Sequence, residues 1–352
     1  MEYKKLKNIA LVTMGQSPKS ESYNKHRIGL PFFQGNADFG EIHPNIKMWC
    51  SEPKKIANPG DILISVRAPI GAVNITQYKC CIGRGLASIS IENSITRDYI
   101  YRLLKSEKQI LISKGTGSTF KAINKGILED INVPVVSPQQ MSLIVLLLKK
   151  AEDSIQYKKN ELTKLNELIK ARFVEMFGDP ICNSQKRPTV SFINVVKLQR
   201  GFDLPVKKRN SEGNIPVFGS NGILGYHTEF KAQKGIITGR SGTIGQVYRE
   251  QGKFWPLNTS LFSINTHGNN IIYLQFLLQM FHLERFYNGA GVPTLNRNDV
   301  HRQKIIDVPV NEQNEFANFV QQVDKSKFEN IVYLNKTLSM KILSQLGDGF
   351  RD

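Results

Sequence analysis

Residues 30–40 read Leu-Pro-Phe-Phe-Gln-Gly-Asn-Ala-Asp-Phe-Gly, and residues 215–225 read Ile-Pro-Val-Phe-Gly-Ser-Asn-Gly-Ile-Leu-Gly. Pro31, Phe33, Asn36 and Gly40 match Pro216, Phe218, Asn221 and Gly225 at one displacement of 185. Four matches in one register mark an internal repeat, and a repeat decides the architecture because each copy must form the same structural unit. Working outward, Asn8 and Gly15 recur as Asn194 and Gly201 at a displacement of 186. Ile70-Gly71 recur as Ile244-Gly245 at 174, so the first copy holds about eleven extra residues before that point. Gly115, Asn124 and Pro134 pair with Gly289, Asn296 and Pro309. The 352 residues are therefore two copies of a unit of roughly 175.

Each copy has the same plan. Short runs rich in Ile, Val and Phe and punctuated by Gly and Pro read as strands: 61–66, 71–75, 215–218, 235–239 and 260–264. One helical patch follows in each, over 99–113 and 271–287. Each globule is then mixed α+β. A longer helix closes each copy. Ser137-Pro138-Gln139-Gln140 reads as an N-cap, a first-turn proline and the Gln of a capping box. Beyond it Ile144, Leu148, Ala151, Ile155, Leu162, Leu165, Ile169 and Met176 form an apolar seam broken by Lys158 and Arg172, and Phe177-Gly178-Asp179-Pro180 supplies the stop. A helix over 139–177 is about 60 Å long. Its seam calls for a partner helix, and Asn311 reads as the cap of one carrying Phe316, Val320, Val323, Ile331, Leu334, Leu338 and Ile342. The phase slips around 324–330, which leaves a bend or break open there. The expected architecture is two α+β globules, 1–136 and 181–310, with helical spacers 137–180 and 311–352 packing as an antiparallel coiled-coil stem.

The net charge is +17, and a chain this basic usually meets a polyanion. Residues 1–133 carry +8 and residues 181–308 carry +9, while the segments 134–180 and 309–352 are near neutral at +1 and −1. Excess charge confined to the two globules points to nucleic acid. No window approaches the ~18 apolar residues of a membrane span, so a soluble cytoplasmic protein is expected. Cys50, Cys80, Cys81 and Cys182 form no CxxC pair, and they read as buried thiols without a metal.

A search for chemistry returns little. The stretch Gly-Thr-Gly-Ser-Thr-Phe-Lys lacks phosphate-loop spacing, no GxGxxG is present, and the Asn/Asp-Pro-Pro-Tyr/Phe signature of adenine methylation is missing. Asp38 with Glu52-Pro53-Lys54 resembles a nuclease set, but the second copy has no counterpart. The six histidines show no metal-ligand spacing and no nucleophile partner. What remains are loops combining Gly for close backbone approach, Arg/Lys for charge, and amide or hydroxyl side chains for base edges. In the first copy these are Gln16, Ser17, Lys19, Ser20, Gln34, Asn36, Arg67 and Arg84. In the second they are Arg200, Lys207, Lys208, Arg209, Ser220, Asn221, Arg240, Ser241, Asn258 and Thr259. Lys121, Asn124, Asn296 and Arg297 follow Gly-rich loops in both copies, which suggests a shared backbone clamp.

A globule opening near Gly15-Gln16-Ser17-Pro18, a strand-turn-strand at 59–65 or 235–245, a loop at 115–125 or 289–299, and Val-Pro-Val-x-x-Pro-Gln-Gln at 133–140 together resemble the specificity subunits of type I restriction-modification systems. The likeness covers essentially the whole chain. It implies a non-catalytic subunit in which each globule reads one half of a split, non-palindromic double-stranded DNA site, while the helices set the spacing and bind two modification subunits. It further implies no cofactor here, with S-adenosylmethionine, ATP and Mg²⁺ belonging to the modification and the restriction/translocase subunits. One departure is visible: Asn-Glu-Gln stands after the second Val-Pro-Val where the first copy has Pro-Gln-Gln, which leaves the second helix start open. Charge alone also accommodates a stand-alone DNA-binding regulator or an RNA-binding scaffold. A fused enzyme lacks a catalytic domain.

Overall fold

The computed structural model describes residues 2–117, 121–209, 213–289 and 291–339, with the backbone alone for Lys208 and 335–339. The expected Leu338 side chain and Ile342 lie outside the described residues. Two compact units emerge, Met1–Tyr157 with Leu334–Asp352, and Lys158–Tyr333, so the division falls inside the long helices.

In the first unit a four-stranded sheet runs in the order Leu11–Met14, Leu86–Ser90, Ile62–Ser65, Val73–Ile75. A five-stranded sheet runs Tyr23–Asn24, Trp49–Cys50, Leu30–Phe33, Cys80–Ile82, Ile56–Ala57. Ile62, Leu63 and Ile64 are all fully buried, so this strand is covered on both faces. In the second unit one six-stranded sheet takes both roles, in the order Lys197–Arg200, Ser260–Asn265, Ala232–Gly239, Val247–Pro256, Ile215–Gly219, Gly222–His227. Its two long central strands run unbroken where the first copy has two short pieces each.

The strand pairing that closes each globule repeats in register. Tyr3–Lys5 pairs antiparallel with Asn132–Pro134, and Thr189–Ser191 pairs in the same way with Lys304–Ile306, Tyr3 facing Pro134 and Thr189 facing Ile306. This corrects one sequence pairing: the counterpart of Pro134 is Ile306, three residues before Pro309. The ladder register outranks the recurrence of a three-residue motif. On the corrected register the long helices begin at equivalent places, Pro138 and Val310.

The capping box forms as read, Gln140 N donating to Ser137 Oγ at 3.2 Å and Ser137 N to Gln140 Oε1 at 2.9 Å. The central helix spans Pro138–Phe177 and ends at Gly178, whose φ of 77° is left-handed. The second long helix runs unbroken over Val310–Ser339, so Asn311 lies in its first turn and caps nothing. Within the second unit the two helices are antiparallel neighbours: Arg172 pairs with Glu315 at 3.1 Å, and Lys158 Nζ donates to Asn330 Oδ1 at 2.9 Å. The polar breaks in the seam thus face the partner helix and pin its register.

The seam is not covered by helix alone. Ile144 and Met141 pack on the core of the first globule, while Ile169, Phe173 and Phe177 enter the core of the second. There Phe173, Phe177, Tyr273 and Phe316 interlock, with Phe316 centroids 5.5 and 5.6 Å from Phe173 and Phe177. Leu148, Val320, Val323 and Leu334 are buried, Ile155, Leu162 and Leu165 half-buried. Ile331, expected on the seam, is 44% exposed, because the phase slip turns it outward. Arg102, itself nearly buried, pairs with Glu152 at 2.9 Å and fastens the Ser94–Ser106 helix to the central helix inside the first unit. Cys50, Cys80 and Cys81 are buried, and Cys182 is exposed, contrary to expectation. Among the described residues no helix is long and apolar enough to cross a membrane.

Candidate nucleic-acid interface

The loops singled out in each copy are joined by one backbone network, drawn twice. In the first copy Gly15 N donates to Leu86 O (2.9 Å), Gln16 N to Ile82 O (3.0 Å), Gly83 N to Phe33 O (2.8 Å), Val66 N to Gly85 O (2.9 Å) and Ile123 N to Val66 O (2.9 Å). In the second, Gly201 N donates to Ser260 O (3.1 Å), Phe202 N to Pro256 O (2.8 Å), Leu257 N to Phe218 O (2.8 Å), Arg240 N to Thr259 O (2.9 Å) and Leu295 N to Arg240 O (2.7 Å). Every bond has its counterpart, so five sequence-distant loops meet in each globule.

Glycine is required where these backbones nearly touch. A Cβ on Gly15 would lie 2.2 Å from Gly83 O, and one on Gly201 2.2 Å from Leu257 O. Gly85 is as tight, 2.4 Å from Gln34 O.

The side chains differ. In the first copy Gln16, Lys19, Ser20, Gln34, Arg67, Arg84 and Lys121 are exposed, and Ser17 and Asn36 half-buried. Ser17 Oγ accepts the Arg84 N–H at 3.3 Å, and Arg67 bridges to Ala122 next to Lys121. The Arg67 and Arg84 guanidiniums have no recorded ion pair among the described residues. Asp38 accepts the Gln34 N–H at 2.7 Å and the Gly35 N–H at 3.4 Å, so it braces the Gln34-Gly35-Asn36 loop. That role was missed in the sequence, where Asp38 read only as part of a rejected nuclease set.

In the second copy Arg200, Lys207, Asn221 and Arg297 are exposed, and Arg209, Ser220, Arg240, Ser241, Asn258 and Thr259 half-buried. The Lys208 side chain lies outside the described residues. Ser241 bridges to Thr294, and a Cβ on Gly239 would lie 3.3 Å from Ser220 Cβ, which places these loops together. Arg240 Nη1 donates to Asn258 O at 3.0 Å, and the Asn258 amide donates to Asp203, so both side chains brace the 257–259 turn. Asn124 and Asn296 need no ligand to explain them: each caps a short helix, Asn124 accepting from Ile127 N and Asn296 from Asn298 N, both at 3.0 Å. Both asparagines of the expected shared clamp thus have a structural role as helix caps. Among the described residues no group of three His, Cys, Asp or Glu is placed to hold a metal ion.

Two basic globules on one repeated scaffold, each followed by a long helix, define a two-module α+β protein. A model of the type I restriction modification DNA specificity domain matches residues 1–167 and 189–339, and the chain belongs to this family. Two relatives from Methanocaldococcus jannaschii align in part. One bears the name of the MjaX type I restriction enzyme specificity subunit, 42% identical over 160 residues, covering 45% of this chain and 38% of that protein. The other, the MjaIX type I restriction enzyme specificity subunit, is 26% identical over 187 residues, covering 50% and 42%. The chain thus spans about two fifths of the length of either relative. The crystal structure of the type I restriction-modification S subunit from M. genitalium superposes over 96% of this chain and 93% of its own, with a TM-score of 0.58 at 14% identity, a likeness of fold.

Proposed function

We propose that this chain is the non-catalytic specificity subunit of a type I restriction-modification enzyme and reads a bipartite double-stranded DNA site, one half per globule. The observation that carries this reading is the duplicated backbone network: it presents corresponding loops in both copies while nearly every loop side chain differs, as two unlike half-sites require. On this reading residues 1–136 and 181–310 recognise DNA, and 137–180 and 311–352 are the spacers. The exposed Leu143, Leu146 and Leu147 on the central helix support docking of modification subunits, whose S-adenosylmethionine, with the ATP and Mg²⁺ of a restriction subunit, completes the enzyme. The setting is cytoplasmic.

The test is to co-express the chain with its modification subunit and map methylated adenines genome-wide. A single bipartite motif, lost when Gln34-Gly35-Asn36 is scrambled, is the expected result. Failure to form a complex, with unaided site-specific DNA binding, would favour a stand-alone regulator instead.

A further inference from the structure

The five loops that meet in each globule agree between the copies at one residue other than glycine. Residues 15–20 and 82–86 share only Gly15 with residues 201–206 and 256–260, and residues 115–122 share only Gly117 with 287–294. Residues 66–69 share nothing with 240–243. Residues 34–36 read Gln-Gly-Asn where residues 219–221 read Gly-Ser-Asn, so Asn36 and Asn221 are the match. The ladders fix this register: Phe33 faces Ile82 as Phe218 faces Pro256, and Phe33 O and Phe218 O accept from Gly83 N and Leu257 N.

A residue is the same in both copies for one of two reasons: the scaffold needs it, or both sites touch the same thing. Asn124 and Asn296 show the first, since each caps a helix. Asn36 and Asn221 do not. Neither has a positive φ, so neither is held by a left-handed turn. Asn36 is the first residue of the turn Asn36–Asp38, not its cap, and its carboxamide makes no hydrogen bond among the described residues. Asn221 lies in the two-residue turn between the strands Ile215–Gly219 and Gly222–His227, where its side chain accepts the Ser220 hydroxyl at a long 3.5 Å. Asn36 is half-buried and Asn221 exposed, so both are open to solvent. Each follows the residue that leans on a neighbouring loop: a Cβ on Gly85 would lie 3.3 Å from Gly35 Cα, and one on Gly239 3.3 Å from Ser220 Cβ. Two carboxamides thus stand at the same place beside both loop crossings, and no demand of the backbone accounts for either.

We infer that Asn36 and Asn221 make the same contact, each donating its amide N–H to a phosphate oxygen of its own half-site and so setting the register of its globule on the duplex. The inference rests on the DNA-reading function proposed above and deepens it. Two half-sites that differ in sequence have the sugar-phosphate backbone in common, and backbone contacts from Asn position a protein without reading bases. The residues just before them change from copy to copy, Gln34-Gly35 against Gly219-Ser220. One loop therefore carries a constant residue for position beside variable ones for sequence.

The experiment uses the chain assembled with its modification subunit and a labelled duplex carrying the motif that the methylation map returns. Asn36→Ala and Asn221→Ala should each weaken binding roughly fivefold and leave the methylated motif unchanged. The salt dependence should also stay unchanged, because a neutral group displaces no counterion. Ethylation of backbone phosphates locates the contact. Ethylating one phosphate in each half-site should block the unsubstituted complex; Asn36→Ala should lose that sensitivity in one half and Asn221→Ala in the other. Asn36→Asp, equal in shape but negative, should bind more weakly than Asn36→Ala. Relaxed discrimination at one base pair in either alanine variant would overturn the phosphate assignment, and so would unchanged affinity in variants whose urea midpoint matches that of the native chain. An unsubstituted complex that neither binds nor methylates DNA would refute the DNA-reading function itself, and the inference with it.

Discussion

Replacing Gly15 or Gly201 by alanine probes the scaffold on which the reading loops rest. The added Cβ would lie 2.2 Å from Gly83 O or Leu257 O, while an ordinary C···O contact is about 3.3 Å, so the two backbones must part by about 1 Å. The neighbour is backbone in both cases and cannot rotate away. Parting by that amount stretches the Gly15 N to Leu86 O bond, now 2.9 Å, and the Gln16 N to Ile82 O bond, now 3.0 Å, beyond hydrogen-bonding range. Two lost bonds at about 1 kcal/mol each, with roughly 1–3 kcal/mol of overpacking, give a destabilisation of about 3–5 kcal/mol. Urea unfolding of each variant measures it, and duplex binding reports whether the reading surface survives. Gly35→Ala is the matched control, since nothing lies within 4 Å of its Cβ and its φ of −176° is open to any residue. Its stability should stay within about 0.5 kcal/mol. If Gly15→Ala is as stable as Gly35→Ala, the close-approach reasoning is wrong.

Three further outcomes are expected. Asn124→Ala, Asn296→Ala and Ser137→Ala each remove a cap and should cost about 1 kcal/mol by urea unfolding, whereas a DNA-clamping role for the two asparagines would show as lost affinity without lost stability. His301 Nε2 accepts the Leu198 N–H at 3.0 Å, and burial, then Arg297 and Lys197, hold its pKa below the ordinary histidine value. The unfolded chain therefore takes the proton first, so the stability it contributes is present above that ordinary value and lost as pH falls through it; the unfolding midpoint should drop there in the native chain and stay flatter in His301→Gln. Inserting about one helical turn, roughly four residues, near Asn160 should lengthen the spacer in the methylated motif, as sequencing of modified adenines would reveal.

Gly15 and Gly201 were legible because they mark a crossing where a side chain is forbidden, and such a place cannot drift. Phe33 and Phe218 stand out as a repeat for another reason, since both are buried in the core of equivalent strands. Pro134 and Pro309 misled for the opposite reason: a strand end tolerates proline in several registers, and only the ladder to Tyr3 and Thr189 fixes which residue is equivalent. Phe173 and Phe177 were missed because a seam read for a partner helix does not announce that its last turns enter a globular core. That His227, opposite Ile215, stands where Cys50 stands opposite Leu30 was beyond reach of the sequence, since it depends on which strands pair and the two copies share no residue there. Ile331 failed where helical phase was inferred through a slip that the helix absorbs without breaking, and Asn311 failed because the helix already begins at Val310.

On the proposed DNA-reading function, the duplicated network would let two globules of one fold diverge in what they read. Each of its five bonds per copy runs from backbone N–H to backbone C=O, and the glycines at the crossings contribute no side chain. Substituting an exposed loop residue such as Arg67 or Arg84 therefore disturbs no bond that holds the loops together, and surface changes of that kind cost within about 0.5 kcal/mol. The braces follow the opposite logic. Asp38 in the first copy, and Arg240 with Asn258 in the second, use side chains to fix one loop each, and they use different residues at different places. A reading loop that changes its sequence needs a new brace, so braces should diverge along with specificity while the backbone crossings stay. That ordering predicts which exchanges are tolerated: transplanting Gln34-Gly35-Asn36 into the second copy without Asp38 should give a folded but poorly discriminating globule. Transplanting it with Asp38 should restore discrimination, as measured by the spread of affinities across a duplex library, and an equal spread with and without Asp38 would show that the loop holds its shape unaided.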